Sequence, residues 1–474
     1  MRRIVVPEGV KKLAESAKVP IFIVGGYVRN QLAGLGETDI DLCGPVVPQA
    51  LGLEGDYKIK VVNLTLGTAL ITCGNEAYEY TPFRTEKYAE GGAHKPTEVL
   101  FTSELKQDAI RRDFACNSIY YDVANDKLID ILGGVGDIER KVIRSASPGK
   151  VFASDGLRIL RLARMAAEMD FKIDGATGAS AKANISNLAD ISAERKRVEL
   201  EKSLIADQKY GVKHAHYRAL KLLGQLGAWL YLIPPVEEMR GLKQPEQYHK
   251  YDVYEHTMQC VKYASIKVRL AALMHDIGKP FCFKNNGNFH GHEKNGSIMT
   301  RFLLGENGLK FSSKIIDEVS RLVANHMYDK DGLTSENKVR LFVARNMDII
   351  PKLVYLIKAD RYATGMYEGE IDEHRFERTY NQIITEDIPT KLSHLMIDGH
   401  TALELGFEGT QISEVLSEAL TECIINPKLN NEDWLISFLK RYKEKKYPTV
   451  QSAVDLQKRK RGRPRKIIAN NSVY

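Results

Sequence analysis

The chain has 474 residues, 43% of them hydrophobic, and a formal net charge of +7, which suits a multidomain globular protein and excludes a fibre or a wholly disordered chain. No apolar run is long enough to span a bilayer, and Met1-Arg2-Arg3 leads into a mixed segment without a signal peptide's apolar core. A membrane partner is therefore excluded, and the scattered cysteines 43, 73, 116, 260, 282 and 423 point to a reducing, cytoplasmic setting.

In chain order, Pro20-Ile21-Phe22-Ile23-Val24 reads as a buried strand and Gly25-Gly26 as a turn whose backbone N–H groups can meet a phosphate. A helix-compatible stretch follows, then Thr38-Asp39-Ile40-Asp41-Leu42, where alternate positions of a strand share a face. Asp39 and Asp41 thus project together and suit Mg2+; the plainer alternative is two solvated acids on an ordinary strand. Runs 58–64, 68–72 and 77–83 are β-rich and complete a small α/β sheet, and residues 87–97 read as a mobile loop with a Gly91-Gly92 pair. After about residue 150 helical periodicity takes over to roughly residue 450. In Leu157-Arg158-Ile159-Leu160-Arg161-Leu162-Ala163-Arg164 the arginines recur three apart along one side, and Pro234-Pro235 with residues 241–245 marks a module boundary. The run 458–466 carries seven positive charges, equal to the whole net charge, so the rest of the chain is balanced.

Gly25-Gly26-x-Val28-Arg29, Asp39-x-Asp41, Tyr78-Glu79-Tyr80-Thr81-Pro82-Phe83-Arg84-Thr85-Glu86 and Arg111-Arg112-Asp113-Phe114-x-x-Asn117 together resemble the class II tRNA nucleotidyltransferases, the CCA-adding enzymes of the polymerase-β superfamily. Asn30, Ala115 and Ser154 depart from that family's usual aspartate, threonine and acid. The resemblance implies Mg2+ on Asp39 and Asp41, with Glu79 either a third catalytic acid or a surface glutamate. It implies nucleotide contacts from Gly25, Gly26, Arg29, Arg111, Arg112, Asp113, Asn117 and Arg161, and an RNA contact from Arg164. Asp155 and Arg158 match the end of the family's nucleotide-selecting motif. An acceptor beside a donor suits the pairing edges of cytosine and adenine and rejects uracil and guanine. By local sequence alone, Asp155 is instead a helix cap and Arg158 an exposed arginine. Residues 87–97 correspond to the family's flexible loop, and Ser192-Ala193-Glu194-Arg195-x-x-Val198-Glu199-Leu200 matches a further motif or simply caps a helix.

A second motif set, Asp252-Val253-Tyr254-Glu255-His256, Met274-His275-Asp276-Ile277-Gly278-Lys279, Gly291-His292-Glu293, Asn325-His326 and Ala359-Asp360, looks like an HD-type metal phosphohydrolase. The resemblance makes His256, His275, Asp276 and Asp360 its core ligands and His292 and His326 additional ones, a donor set suited to a transition metal. Such a domain hydrolyses phosphoesters or persists as scaffolding. Lys458, Arg459, Arg461 and Arg463 belong to a tail that resembles an AT-hook or a nuclear-import signal, or serves as an electrostatic RNA tether.

The implied architecture is an α/β polymerase-β-like nucleotidyltransferase head (1–150), then an all-α neck for nucleotide selection and RNA binding (151–240). An HD domain (241–375), a helical C-terminal body (376–455) and a basic disordered tail (456–474) follow. The implied activity is template-independent addition of CCA to tRNA from CTP and ATP. The alternatives are a poly(A) polymerase, a partial enzyme adding CC or A, and an HD phosphohydrolase with an RNA-binding head.

Overall fold

The computed structural model describes residues 4–36, 38–88, 96–366 and 374–447. They form two units, Met1–His326 with Tyr355–Glu368, and Met327–Val354 with Gly369–Tyr474. Residues 327–354, inside the stretch expected as the HD domain, thus belong to the second unit.

The head is built on a seven-stranded sheet of order β3-β4-β5-β2-β1-β8-β9. Its strands are β1 (Phe22–Val24), β2 (Asp41–Gly44), β3 (Lys58–Asn63), β4 (Thr68–Cys73), β5 (Glu76–Pro82), β8 (Ile119–Asp122) and β9 (Lys127–Asp130). β6 (Arg84–Lys87) and β7 (Glu98–Phe101) form a separate hairpin, so the ends of the expected mobile loop are tied by ladder bonds; residues 89–95 lie outside the described residues. β8 and β9 were not expected from the sequence, although every residue of β8 is buried. Strand β2 runs parallel to β5 and antiparallel to β1. Beneath the sheet, Phe22, Val24, Cys43, Phe83, Ala109 and Tyr120 pack together, with Phe83 edge-on to Tyr120 at 5.9 Å between ring centres. Burying such side chains contributes about 1.5–3 kcal/mol each, which makes a firm bed for the strand ends above.

In the neck the short helix Val151–Ser154 precedes the helix Leu157–Glu168, whose apolar positions are almost all buried against the helices Ala193–Leu204 and Ala215–Leu226. Ala167, Ala206, Ala215 and Ala219 form one cluster, and their small side chains let the backbones come close. Neck and HD helices are joined by Arg269, whose guanidinium donates to both carboxylate oxygens of Asp207, each at 2.7 Å, and to the Leu204 carbonyl at 2.8 Å. The HD helices are Val253–Tyr263, Arg269–Met274, Lys279–Asn286, His292–Leu304, Ser313–Asn325 and Ile350–Ala363. Asp252 caps the first of them through the Glu255 N–H at 2.7 Å, which fixes the entry of His256.

In the second unit, Tyr328 stacks on Phe342 at 3.7 Å, and Arg375 pairs with Asp329 at 2.8 Å. The helices Thr410–Ile425 and Glu432–Lys446 close over a core containing Phe407, Val415, Leu416 and Leu435.

Candidate functional site

Asp41 opens β2 opposite Val24 of β1 and Glu79 of β5, immediately beside the turn at Gly25. Gly25 has φ +82°, a conformation costly for any side chain, and a Cβ there would stand 3.4 Å from Asp41 Oδ2. The parallel pairing therefore puts Glu79 beside Asp41, which local sequence could not decide, whereas Asp39, expected on the same strand as Asp41, precedes β2, which begins at Asp41. Asp41 has its pKa raised, first by partial desolvation, then by Glu79, with Arg112 opposing and Asp39 adding to the rise. Mutually repelling carboxylates gathered at the start of β2 are the environment that a divalent cation relieves.

Behind them lies a buried ionic network centred on Asp108, which sequence reasoning missed. Asp108 is 1% exposed; it accepts from Arg111 Nη2 at 2.6 Å, from Tyr120 Oη at 2.6 Å, and pairs with Arg112 Nη2 at 3.0 Å. Burial alone would raise its pKa, but Arg112 and Arg111 hold it at about 2. Its signal was the spacing Asp108, Arg111, Arg112, which places both cations one helical turn from the acid.

Several expected nucleotide ligands are braces. Arg29, 6% exposed, donates to Asn117 Oδ1 at 2.6 Å, Asn30 Oδ1 at 2.7 Å and Tyr210 Oη at 2.9 Å. Asn117 in turn donates to Asp113 Oδ1 at 2.8 Å. Arg29 and Asn117, expected at the nucleotide, thus turn these polar atoms toward protein partners, and Arg29 ties the glycine turn to Tyr210 of the neck. Asp113 is paired with Arg161 at 2.8 Å, and Arg161 and Asn117 outweigh burial to depress its pKa.

The arginine row of the neck helix splits three ways. Arg164 is buried between Glu168 and Glu199, each at 2.8 Å, so two of its guanidinium nitrogens, Nε and Nη1, are taken by ion pairs within the neck. Arg161 holds Asp113. Arg158 has no ion-pair partner among the described residues and lines a cavity of about 690 Å³ with Glu86, Tyr88, Arg111, Lys150 and Ser154. Asp155 does cap the helix, accepting the Leu157 N–H at 3.0 Å, while its other oxygen accepts from Arg195 Nη2 at 3.2 Å. Cap and candidate base acceptor are therefore the same carboxylate. Arg195 was read only as part of a helix start; it is the residue that orients Asp155.

In the HD unit the six expected ligands converge. Asp276 Oδ2 lies 3.5 Å from His256 Nε2 and 3.2 Å from His275 Nε2, while its Oδ1 lies 3.3 Å from His292 Nε2 and 4.0 Å from His326 Nε2. Asp360 Oδ1 is 2.9 Å from His256 Nε2. Two ligand groups thus share one carboxylate. The Nδ1 atoms of His275, His292 and His326 face the carbonyls of Ala272, Phe289 and Val323 at 2.8, 2.9 and 2.7 Å. A carbonyl only accepts, so Nδ1 carries a proton in each of the three rings, and Nε2 is the atom turned toward Asp276, the donor that a metal would use. Burial, then His275 and His292, hold His326 near 3, whereas Asp276 pulls His275 well above its usual value against burial. Gly278 permits this convergence, since a Cβ there would lie 2.2 Å from the His292 carbonyl oxygen. Two more groups were missed. Lys279 donates to Asp276 Oδ2 at 2.7 Å, and His249 sets its ring 4.8 Å from that of His256. Lys458, Arg459, Arg461 and Arg463 lie outside the described residues.

Three family models match: "Poly A polymerase head domain" over residues 21–144, "Probable RNA and SrmB- binding site of polymerase A" over 170–239, and "HD domain" over 248–365. The chain is 29% identical to a "Multifunctional CCA protein" of Pasteurella multocida, over 75% of this chain and 87% of that one. It is 28% identical to a "CC-adding tRNA nucleotidyltransferase" of Thermus thermophilus, over 86% of this chain and 91% of that one. The crystal structure of the Bacillus stearothermophilus CCA-adding enzyme in complex with CTP shares the fold, with a TM-score of 0.63, 21% identity, and coverage of 93% of this chain and 97% of that one. No helix among the described residues is long and apolar enough to cross a membrane.

Proposed function

This chain belongs to the class II CCA-adding enzymes that carry an HD domain, and we propose that it completes tRNA 3′ ends in the cytoplasm with CTP and ATP. The observation that supports the reading most is the pairing of Asp41 with Glu79 at the start of β2, beside the Gly25 turn, with Asp39 close enough to act on Asp41 electrostatically. Families of both kinds use divalent metals. In the head, Asp39, Asp41 and Glu79 would hold Mg2+, which when bound acidifies the RNA 3′-hydroxyl and neutralises triphosphate charge. The hydroxyl oxygen bonds to the α-phosphorus, the bond to the β-phosphate bridge breaks, and pyrophosphate leaves. Arg112, fixed by Asp108 and Tyr120, supplies positive field behind Asp41. Arg111 and Lys150 favour the triphosphate in the cavity.

Base choice falls to Asp155 and Arg158. Arg158 would donate to the ring nitrogen, and Asp155, oriented by Arg195, would accept from the exocyclic amine of cytosine or adenine. The HD centre fits one or two transition-metal ions, which His256, His275 and Asp276 with Asp360, and Asp276 with His292 and His326, would hold, and we assign it phosphoester hydrolysis at RNA 3′ ends.

Purified protein offered tRNAs ending before CCA, after C and after CC, with each nucleoside triphosphate separately, tests the reading. Two additions from CTP followed by one from ATP are expected. A second reading, a partial enzyme, is favoured by the CC-adding relative matched over 91% of its length. Additions that stop at CC, or only a terminal A on tRNA ending in CC, would establish it, and open-ended adenylation would refute both.

A further inference from the structure

We propose that Tyr88 is the stacking surface for the incoming nucleobase, and that Glu86 is the positioning residue that fixes its ring. The inference rests on the reading of Asp155 and Arg158 as the base-selecting pair. Recognition of a base along its pairing edge leaves both flat faces to be covered, and edge contacts alone do not cover them. Among the described residues that line the cavity around Arg158, Tyr88 is the one aromatic ring.

Tyr88 is not a free surface tyrosine. It is half-buried, and its hydroxyl donates to Glu86 Oε2. The Glu86 carboxylate has 5% of its side chain exposed and is gripped by Arg84 Nε at 2.7 Å and Arg111 Nη1 at 3.1 Å. Burial would raise the Glu86 pKa, but Arg111, Tyr88 and Arg84 bring it down, so the acceptor stays ionised. Burial and Glu86 push the Tyr88 hydroxyl up, so the donor keeps its proton. Tyr88 and Arg158 line the same cavity, so the ring shares its walls with one member of the base-reading pair. Arg111 connects Glu86 to Asp108, hence to the network behind the catalytic acids, so the ring is anchored to the head while the reading pair belongs to the neck. The base would sit between contributions from both.

Stacking tolerates any base, because every base presents a π face; hydrogen-bond reading does not. The two roles therefore separate in kinetics. Tyr88→Leu should raise KM for CTP and for ATP by about 10- to 100-fold, leave kcat within a few-fold, and keep the preference over UTP. Tyr88→Phe keeps the ring and loses its pin, giving a smaller rise of about two- to five-fold, and Glu86→Gln should match it. Arg158→Ala is run beside them. If it leaves discrimination against UTP and GTP unchanged, the base-reading pocket itself fails. If Arg158→Ala relaxes discrimination but Tyr88→Leu leaves both nucleotide KM values unchanged, or raises the KM of tRNA instead, the stacking role is refuted.

Discussion

Arg195→Ala is the sharpest probe of how the neck aims its acceptor. Asp155 has two oxygens with separate tasks: one accepts the Leu157 N–H at 3.0 Å, the other accepts from Arg195 at 3.2 Å. Removing Arg195 leaves the cap in place, so the helix persists while the carboxylate loses its lateral restraint. A buried bond to a charged group is worth about 1.5–3 kcal/mol. The Arg195 side chain is 35% exposed, so solvent screening brings the figure to about 1 kcal/mol. At 1.4 kcal/mol per tenfold, that is roughly a five-fold loss. The assay is single-nucleotide addition to tRNA ending before CCA, with kcat/KM measured for CTP and UTP. Arg195→Ala should lower the CTP-to-UTP ratio about five-fold, and Arg195→Lys should recover part of it, since an ammonium keeps the charge without the fixed fork. The reasoning is refuted if Arg195→Ala discriminates like the parent while Asp155→Ala loses discrimination.

The other predictions concern acid stability and metal content. Because Asp108 is depressed from 3.8 to about 2, its contribution is present above the unfolded pKa and is lost as pH falls through the folded one. The shift corresponds to about 2–3 kcal/mol. Hydrogen exchange of head amides should show that gap between wild type and Asp108→Asn at about pH 5 and its closure near pH 2; a gap that does not close contradicts the assignment. In the HD unit, the sharing of Asp276 between two ligand groups predicts that Asp276→Ala loses all bound metal, whereas His326→Ala loses only part. Elemental analysis that finds equal metal in both variants would sink the shared-carboxylate geometry.

The sequence reading succeeded where chemistry follows local spacing and stopped where it depends on partners far along the chain. The runs at 58–64, 68–72 and 77–83 became β3, β4 and β5 because apolar alternation is a local property, whereas Asp39, expected on one strand with Asp41, precedes β2. Glu79 could not be decided, since its closeness to Asp41 arises from the parallel pairing of β5 with β2. The arginine row was legible as one side of a helix. Its three fates were not, because Asp113 and Glu199 arrive from other elements. Strands β8 and β9 are four residues each, too short for an alternating pattern to stand out. The HD histidines and aspartates that converge were legible by motif, but the carbonyls that set the ring orientations are backbone atoms and carry no side-chain signature.

The brace around Arg29 bears on modularity. Tyr210, 181 positions away, and Asn117 both receive its guanidinium, and Asp113 is held by Arg161 of the neck. A head cut away near residue 150 would keep its sheet and its three acids, yet Arg29 would lose Tyr210 and Asp113 would lose its cation, and buried groups stripped of partners are costly. The border between head and neck is a border of sequence patterns; the smallest piece that can stand alone by its own physical chemistry includes both.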